Sequence, residues 1–185
     1  MWAVVGLGNP GSDYARTRHN AGFLLVRKLA KSWNVRLDQR RFRSRMAVVK
    51  REGGTVVLAL PQTYMNNSGQ AVAALLRAKR IPAERLVVVT DDLDLPLGRL
   101  RVRKEGSPGT HLGMRSIVQE VGSSAFPRIR LGIGPLPQDA DAAEYVLSEF
   151  SAQDKEVFES CLDRARQALE LVLAGDIVQA MNRYN

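Results

Sequence analysis

One cysteine and two histidines are all the soft or imidazole ligands that 185 residues offer, so neither an internal disulfide nor a clustered zinc site fits the chain. The lone Cys161 lies among Val157, Phe158, Leu162, Ala165 and Ala168 at helical spacing, which reads as core and not as a nucleophile. Apolar residues nowhere run for the roughly 18 positions a membrane span needs, and no leader of charged, apolar and small residues opens the sequence. The expectation is a cytoplasmic protein without a membrane partner. Also missing are a Gly-x-Ser-x-Gly elbow, a Cys-His pairing, an internal repeat and a low-complexity linker. The length suits one compact domain over 1–185, taken as a monomer by default.

Acidic residues are scarce in the first 130 positions, with 9 against 23 Lys and Arg, whereas the remainder carries 10 against 4. Such asymmetry points to a polyanion on one side of the molecule. Alternation supports it: Arg99, Arg101 and Arg103 share one face of a strand, as do Arg128 and Arg130. A scattered, solvated basic surface remains the bland reading.

The apolar run Trp2 to Leu7 predicts a buried strand that ends in a glycine turn. Phe23, Val26, Leu29, Ala30 and Trp33 place a helix over Ala21 to Trp33, with Asn20 as its N-cap. Two β-rich runs, Met46 to Lys50 and Thr55 to Leu60, flank Gly53-Gly54 as a hairpin. A helix follows Gly69, capped by Asn67 or Ser68, and Leu86 to Val89 is a short buried strand ending at Thr90-Asp91-Asp92. Leu100 to Arg103 and Ile129 to Ile133 make two more strands, separated by a helix starting near His111. From Asp139 the pattern is helical, first around Ala143, Val146 and Leu147, then along a longer run to Leu173 that stops at Gly175. Strands alternating with helices, plus one hairpin, predict an α/β fold: a single-domain three-layer sandwich with a mixed, twisted sheet and helices on both faces.

Gly6, Gly8 and Gly11 have the spacing of a dinucleotide-binding turn. That reading needs an acidic residue about 20 positions on, at the end of a second strand. Between Lys31 and Arg45 there is only Asp38 among basic residues, and Pro10 makes the helix entry awkward. Acyl chemistry fits better. His19 can act as a base near neutral pH, Asp91 at a strand end can fix its tautomer, and Asn9 and Asn66 offer amide groups from two turns. Water activated by His19 is then the nucleophile. Each residue also has a plain reading, as a capping, turn or backbone-satisfying group. Composition and spacing alone stop at an α/β protein that binds a polyanion, with a hydrolase as one option.

The motifs together carry a resemblance. Gly6-Leu7-Gly8-Asn9-Pro10-Gly11 with Tyr14, Thr17-Arg18-His19-Asn20-Ala21-Gly22, Tyr64-Met65-Asn66-Asn67-Ser68-Gly69, Asp91-Asp92-Leu93-Asp94-Leu95-Pro96, His111-Leu112-Gly113 and Arg128-Ile129-Arg130-Leu131-Gly132-Ile133-Gly134 resemble bacterial peptidyl-tRNA hydrolase, from Val4 to Asn182-Arg183. The resemblance implies hydrolysis of the ester between a peptide and the tRNA 3′ ribose, with peptidyl-tRNA as partner and neither metal nor organic cofactor. It makes His19 the general base, Asp91 its orienting partner, and Asn9 and Asn66 the groups that hold the peptide end and polarise the ester. Tyr14, Tyr64, Met65, Asn66, His111 and Leu112 would contact the substrate, and Arg103 and Arg130 would clamp the tRNA 5′ phosphate.

One position departs from the family pattern. Where Gly-Gly-His-Asn-Gly is usual, this chain has Gly109-Thr110-His111-Leu112-Gly113. The missing asparagine helps place water and the tRNA end, so slower turnover is the expectation. The departure also admits an alternative, a relative that binds structured RNA without cleaving it, although retention of His19 and Asp91 speaks against that.

Overall fold

The computed structural model describes residues 1–185 as one seven-stranded sheet with helices on both faces. Its strands are β1 (Trp2–Gly6), β2 (Gln39–Arg41), β3 (Ser44–Arg51), β4 (Gly54–Pro61), β5 (Leu86–Pro96), β6 (Leu100–Arg103) and β7 (Arg128–Gly134), in the spatial order β2-β3-β4-β1-β5-β7-β6. The central strands β4, β1, β5 and β7 run parallel, while β3 and β2 at one edge and β6 at the other are antiparallel additions. The helices are α1 (Ala21–Ser32), α2 (Ser68–Lys79), α3 (Leu112–Val121), α4 (Ala142–Leu147), α5 (Ala152–Leu173) and α6 (Ile177–Tyr184). The mixed sheet with two covered faces is the expected architecture.

Burial on both faces explains why the central strands are continuous apolar runs and not alternating ones. Val4, Val87, Val89 and Ile129 point into a core shared with Phe23, Phe158 and Leu169. Their neighbours Val5, Leu86 and Val88 pack on the other side against Leu75, Met114, Ile117 and Phe126. Cys161 is fully buried in the first core, and burial pushes its thiol up to about 11. It is core, as its helical spacing suggests.

The glycine turn is a packing device. A Cβ on Gly6 would lie 2.3 Å from the Gly22 carbonyl oxygen, and one on Gly22 would lie 2.4 Å from both the Leu7 nitrogen and the Val89 oxygen. Main-chain bonds from Leu7 to Val89 (2.9 Å) and from Phe23 to Leu7 (3.1 Å) lock the end of β1 to β5 on one side and α1 on the other. This junction brings the residues before α1 beside the carboxyl end of β5.

Several boundaries differ from the sequence reading. β5 continues to Pro96 through an irregular pairing with β7 between Asp92 and Pro96. The exposed edge strand β2 and the last helix α6 have short patterns that periodicity passes over. Asn20 stands at the N-cap position of α1 but does not cap it with its side chain: a 3-10 turn, Arg18–Asn20, runs straight into the helix, and the Asn20 amide is used elsewhere. Neither Asn67 nor Ser68 caps α2 with its side chain; the Ser68 hydroxyl donates to the Met65 carbonyl at 2.8 Å. No helix is long and apolar enough to cross a membrane.

Candidate active site

A cleft of about 700 Å³ opens at the carboxyl ends of the parallel strands, where open α/β sheets hold ligands. Asn9 follows β1, His19 precedes α1, Met65 and Asn66 precede α2, Asp91 lies on β5, and His111 stands at the start of α3. All of them line the cleft, together with Tyr64, Leu112, Arg103 and Arg130. Tyr14 alone among the expected residues does not line it; its ring meets Tyr64 edge-on, with centroids 6.4 Å apart.

Asp91 is the electrostatic centre. Its carboxylate, 4% exposed, takes His19 Nδ1 on Oδ2 and His111 Nε2 on Oδ1, each at 2.9 Å. Burial alone would favour the neutral acid, but the two imidazoles, by charge and hydrogen bonding, hold its carboxyl well below the usual carboxylate range. For His19 the balance also favours charge: burial lowers the imidazolium, yet the charge of Asp91 and the hydrogen bond to it raise its pKa above the ordinary value.

The tautomers follow from these partners. The Met114 amide donates to His111 Nδ1 at 3.3 Å, so the His111 proton sits on Nε2 and points at Asp91. His19 correspondingly presents Nδ1–H to Asp91, and its Nε2, which no protein group engages, is the free basic lone pair on the cleft side. Sequence reasoning paired Asp91 with His19 and treated His111 as a substrate contact. The second imidazole on the same carboxylate is visible only once β5 and α3 are placed side by side.

Asn9 is equally constrained. Its backbone amide donates to Asn20 Oδ1 at 2.8 Å, and Asn20 Nδ2 donates back to the Asn9 carbonyl at 2.9 Å. Its side-chain oxygen accepts the Met65 backbone amide at 2.8 Å, which fixes the amide orientation and leaves Nδ2 as the group available to the cleft. Asn9 is thus a donor there, not the donor and acceptor its residue type permits. Asn66 is exposed on the facing turn, without a protein hydrogen bond.

Arg18 fixes the His19 turn from behind. Its guanidinium, on a residue 7% exposed, pairs with Asp154 Oδ2 at 2.9 Å, donates to the Ser148 hydroxyl and the Glu149 carbonyl, and lies over the rings of Tyr145 and Phe150. Arg128 corrects the sequence reading. It shares a strand face with Arg130 but is 3% exposed, and its guanidinium donates to the carbonyls of Gly106, Ser107, Ser124 and Phe126. It ties the 105–110 loop to the sheet and is no surface cation; burial, with Arg130 close by, lowers its pKa to about 10 despite the opposing charge of Glu105. Arg130 Nε sits 2.5 Å from Asp92 Oδ2 without the alignment of a hydrogen bond, whereas Arg103 is exposed and unpaired.

His19, Asp91 and His111 are also the one cluster whose donor atoms, all within 4.8 Å of one another, have the spacing for a cation. Those atoms are already joined to each other, so an ion would have to displace both hydrogen bonds. What the arrangement can do as it stands is proton transfer beside an amide donor. Leu112, 55% exposed at the first turn of α3, lines this cleft.

Comparison with known proteins matches residues 3–185 to the family model described as Peptidyl-tRNA hydrolase. A peptidyl-tRNA hydrolase of Chloroflexus aggregans is 51% identical over 186 residues, covering 100% of this chain and 99% of its own. One from Roseiflexus castenholzii is 52% identical, with 100% and 87% covered. The crystal structure of the Acinetobacter baumannii peptidyl-tRNA hydrolase superposes with a TM-score of 0.93 at 35% identity, covering 100% of this chain and 94% of that one.

Proposed function

The chain belongs to the peptidyl-tRNA hydrolase family, and we propose from that premise that His19 is the general base of its reaction. The enzyme hydrolyses the ester of peptidyl-tRNA, releasing peptide and free tRNA. The observation that carries the reading of His19 is its geometry: Nδ1 bound to a buried carboxylate, Nε2 open to the cleft.

In this reading Nε2 takes a proton from water as the oxygen attacks the ester carbonyl carbon. Asp91 stabilises the imidazolium that forms. Negative charge develops on the carbonyl oxygen, where Asn9 Nδ2 and the Asn66 amide donate. Collapse of the tetrahedral intermediate breaks the bond to the ribose oxygen, which recovers the proton from His19, and the peptide leaves as a carboxylic acid that releases its remaining proton to solvent. Tyr64, Met65, His111 and Leu112 flank the substrate, Tyr14 supports Tyr64, and residues 1–185 act as one domain, a monomer in the cytoplasm. The alternative of an RNA-binding relative without cleavage has no support: the full-length relatives are hydrolases, and binding alone has no need of the His19–Asp91 pair. The test is peptide release from a purified N-blocked aminoacyl-tRNA. Multiple turnover is expected, and tight tRNA binding without ester cleavage would overturn the reading.

Arg103 and Arg130 are assigned to the tRNA 5′ phosphate. Charge reversal at either is expected to weaken tRNA binding and to lower the slope of log affinity against log salt by about 1. Filter binding across a salt series measures it, and parallel slopes would remove that residue from the phosphate contacts. Leu112→Asn restores the hydrogen-bonding side chain usual in the family. One net hydrogen bond of about 0.5–1.5 kcal/mol corresponds to a roughly 2- to 12-fold higher kcat. An unchanged or lower kcat would show that this chain positions water by other groups.

A further inference from the structure

A second concavity lies along α1 and shares no lining residue with the catalytic cleft. It encloses about 450 Å³. Arg27 and Lys31 from α1, Arg36 from the following loop and Arg45 from β3 converge on it over an apolar floor that includes Leu37 and Leu60. No acidic residue lines it. None of the four cations forms an ion pair or donates a hydrogen bond within the protein; only the Arg27 guanidinium finds a partner, resting on the Phe23 ring. Burial and the nearby charge of Arg45 lower the Arg27 pKa, the sign of cations gathered without compensation.

The surroundings extend the same charge. From Arg27 to Arg51 ten Lys and Arg stand against Asp38 alone. Cations on an edge strand such as β2 discourage edge-to-edge pairing, and that accounts for Arg40 and Arg41. It does not account for Arg27, Lys31, Arg36 and Arg45, which converge in a concavity from a helix, a loop and an inner strand, at a cost in mutual repulsion. A ligand bearing several regularly spaced negative charges would remove that cost.

We propose that this basic concavity binds the phosphate backbone of a second RNA segment, distinct from the acceptor end that enters the catalytic cleft. Five strand intervals separate β3 from β6, which places this surface roughly 24 Å across the sheet from Arg103. A tRNA clamped at Arg103 and Arg130 is anchored at the β6 and β7 end of the sheet, so that clamp and this concavity are separate contacts. That separation rests on the clamp assigned above; the charge and shape of the concavity do not.

The test is fluorescence anisotropy with a labelled blunt RNA duplex of about 20 base pairs, added to protein already saturated with an acceptor-stem minihelix. Wild type is expected to bind the duplex while the minihelix stays bound. The Lys31→Gln/Arg36→Gln/Arg45→Gln variant, whose three side chains are exposed and unbonded, is expected to bind the duplex about tenfold more weakly, with a salt slope lower by roughly 2 to 3. Its kcat/KM on peptidyl-tRNA should stay within about twofold of wild type. His19→Ala should bind the duplex like wild type, which separates this proposal from the catalytic one. Displacement of the duplex by the minihelix, unchanged duplex binding by the triple variant, or a parallel fall in kcat/KM would each overturn the proposal. So would saturable binding of inorganic phosphate at matched ionic strength, or of phosphatidylserine vesicles, without binding of the duplex.

Discussion

His19→Ala lowers kcat on peptidyl-tRNA by about 10²- to 10⁴-fold, the span a positioned general base contributes. The loss should fall on kcat with little change in tRNA affinity, because the ring lies at the reacting end of the cleft and the assigned phosphate contacts are on β6 and β7. Alanine leaves no group at the place of Nε2 to take the proton from water, while the Asn9 amide stays held by Met65 and Asn20. A remnant rate from that donor and from substrate positioning is therefore expected. Single-turnover peptide release, with tRNA binding measured in parallel, checks both halves. A variant within tenfold of wild type would dismiss His19 as the base.

How much of this was legible in the sequence depends on the range of the interaction concerned. The seven-stranded architecture was largely readable because β1, β4 and β5 are apolar enough to require cover on both faces, and the helices have clear periodic stripes. The pairing of His19 with Asp91 was readable because histidine is scarce and a carboxylate at the end of a buried strand is conspicuous. Three features were not readable, and each is a long-range hydrogen bond. His111 shares Asp91 with His19 only because α3 and the turn before α1 meet over β5. Asn20 looked like a cap, since the type suits one, but its amide is committed to the Asn9 backbone, 11 residues away. Arg128 looked like one of a basic pair, yet the carbonyls of the 105–110 loop bury it. Alternation gave the correct face of β7 and said nothing of what covers that face.

Asp91→Asn is expected to reduce kcat on the order of 10³-fold and to move its pH dependence, and the second effect is the more diagnostic. A carboxylate accepts from both imidazoles at once; an asparagine has one oxygen and one NH₂, so one histidine must turn from donor to acceptor. If the NH₂ faces His19, Nδ1 becomes the acceptor and the proton moves to Nε2, which removes the basic lone pair from the cleft. The pH effect has a definite sign. Wild-type His19 is held above its ordinary 6.5 by the charge and hydrogen bond of Asp91 against the opposing pull of burial. The acid limb of kcat/KM, below which the base is protonated, should therefore have its midpoint above 6.5. In Asp91→Asn the burial remains and the attraction is gone, so that midpoint should fall below 6.5. Stability follows by linkage: the raised His19 pKa stabilises the fold fully below 6.5 and less as pH rises through the folded value, whereas the lowered Asp91 pKa stabilises it above 3.8 and less as pH falls. The stability difference between wild type and variant should thus be greatest between 3.8 and 6.5 in urea titrations. A variant that is slow but keeps the wild-type acid limb would mean that Asp91 only shapes the cleft and does not set the proton on His19.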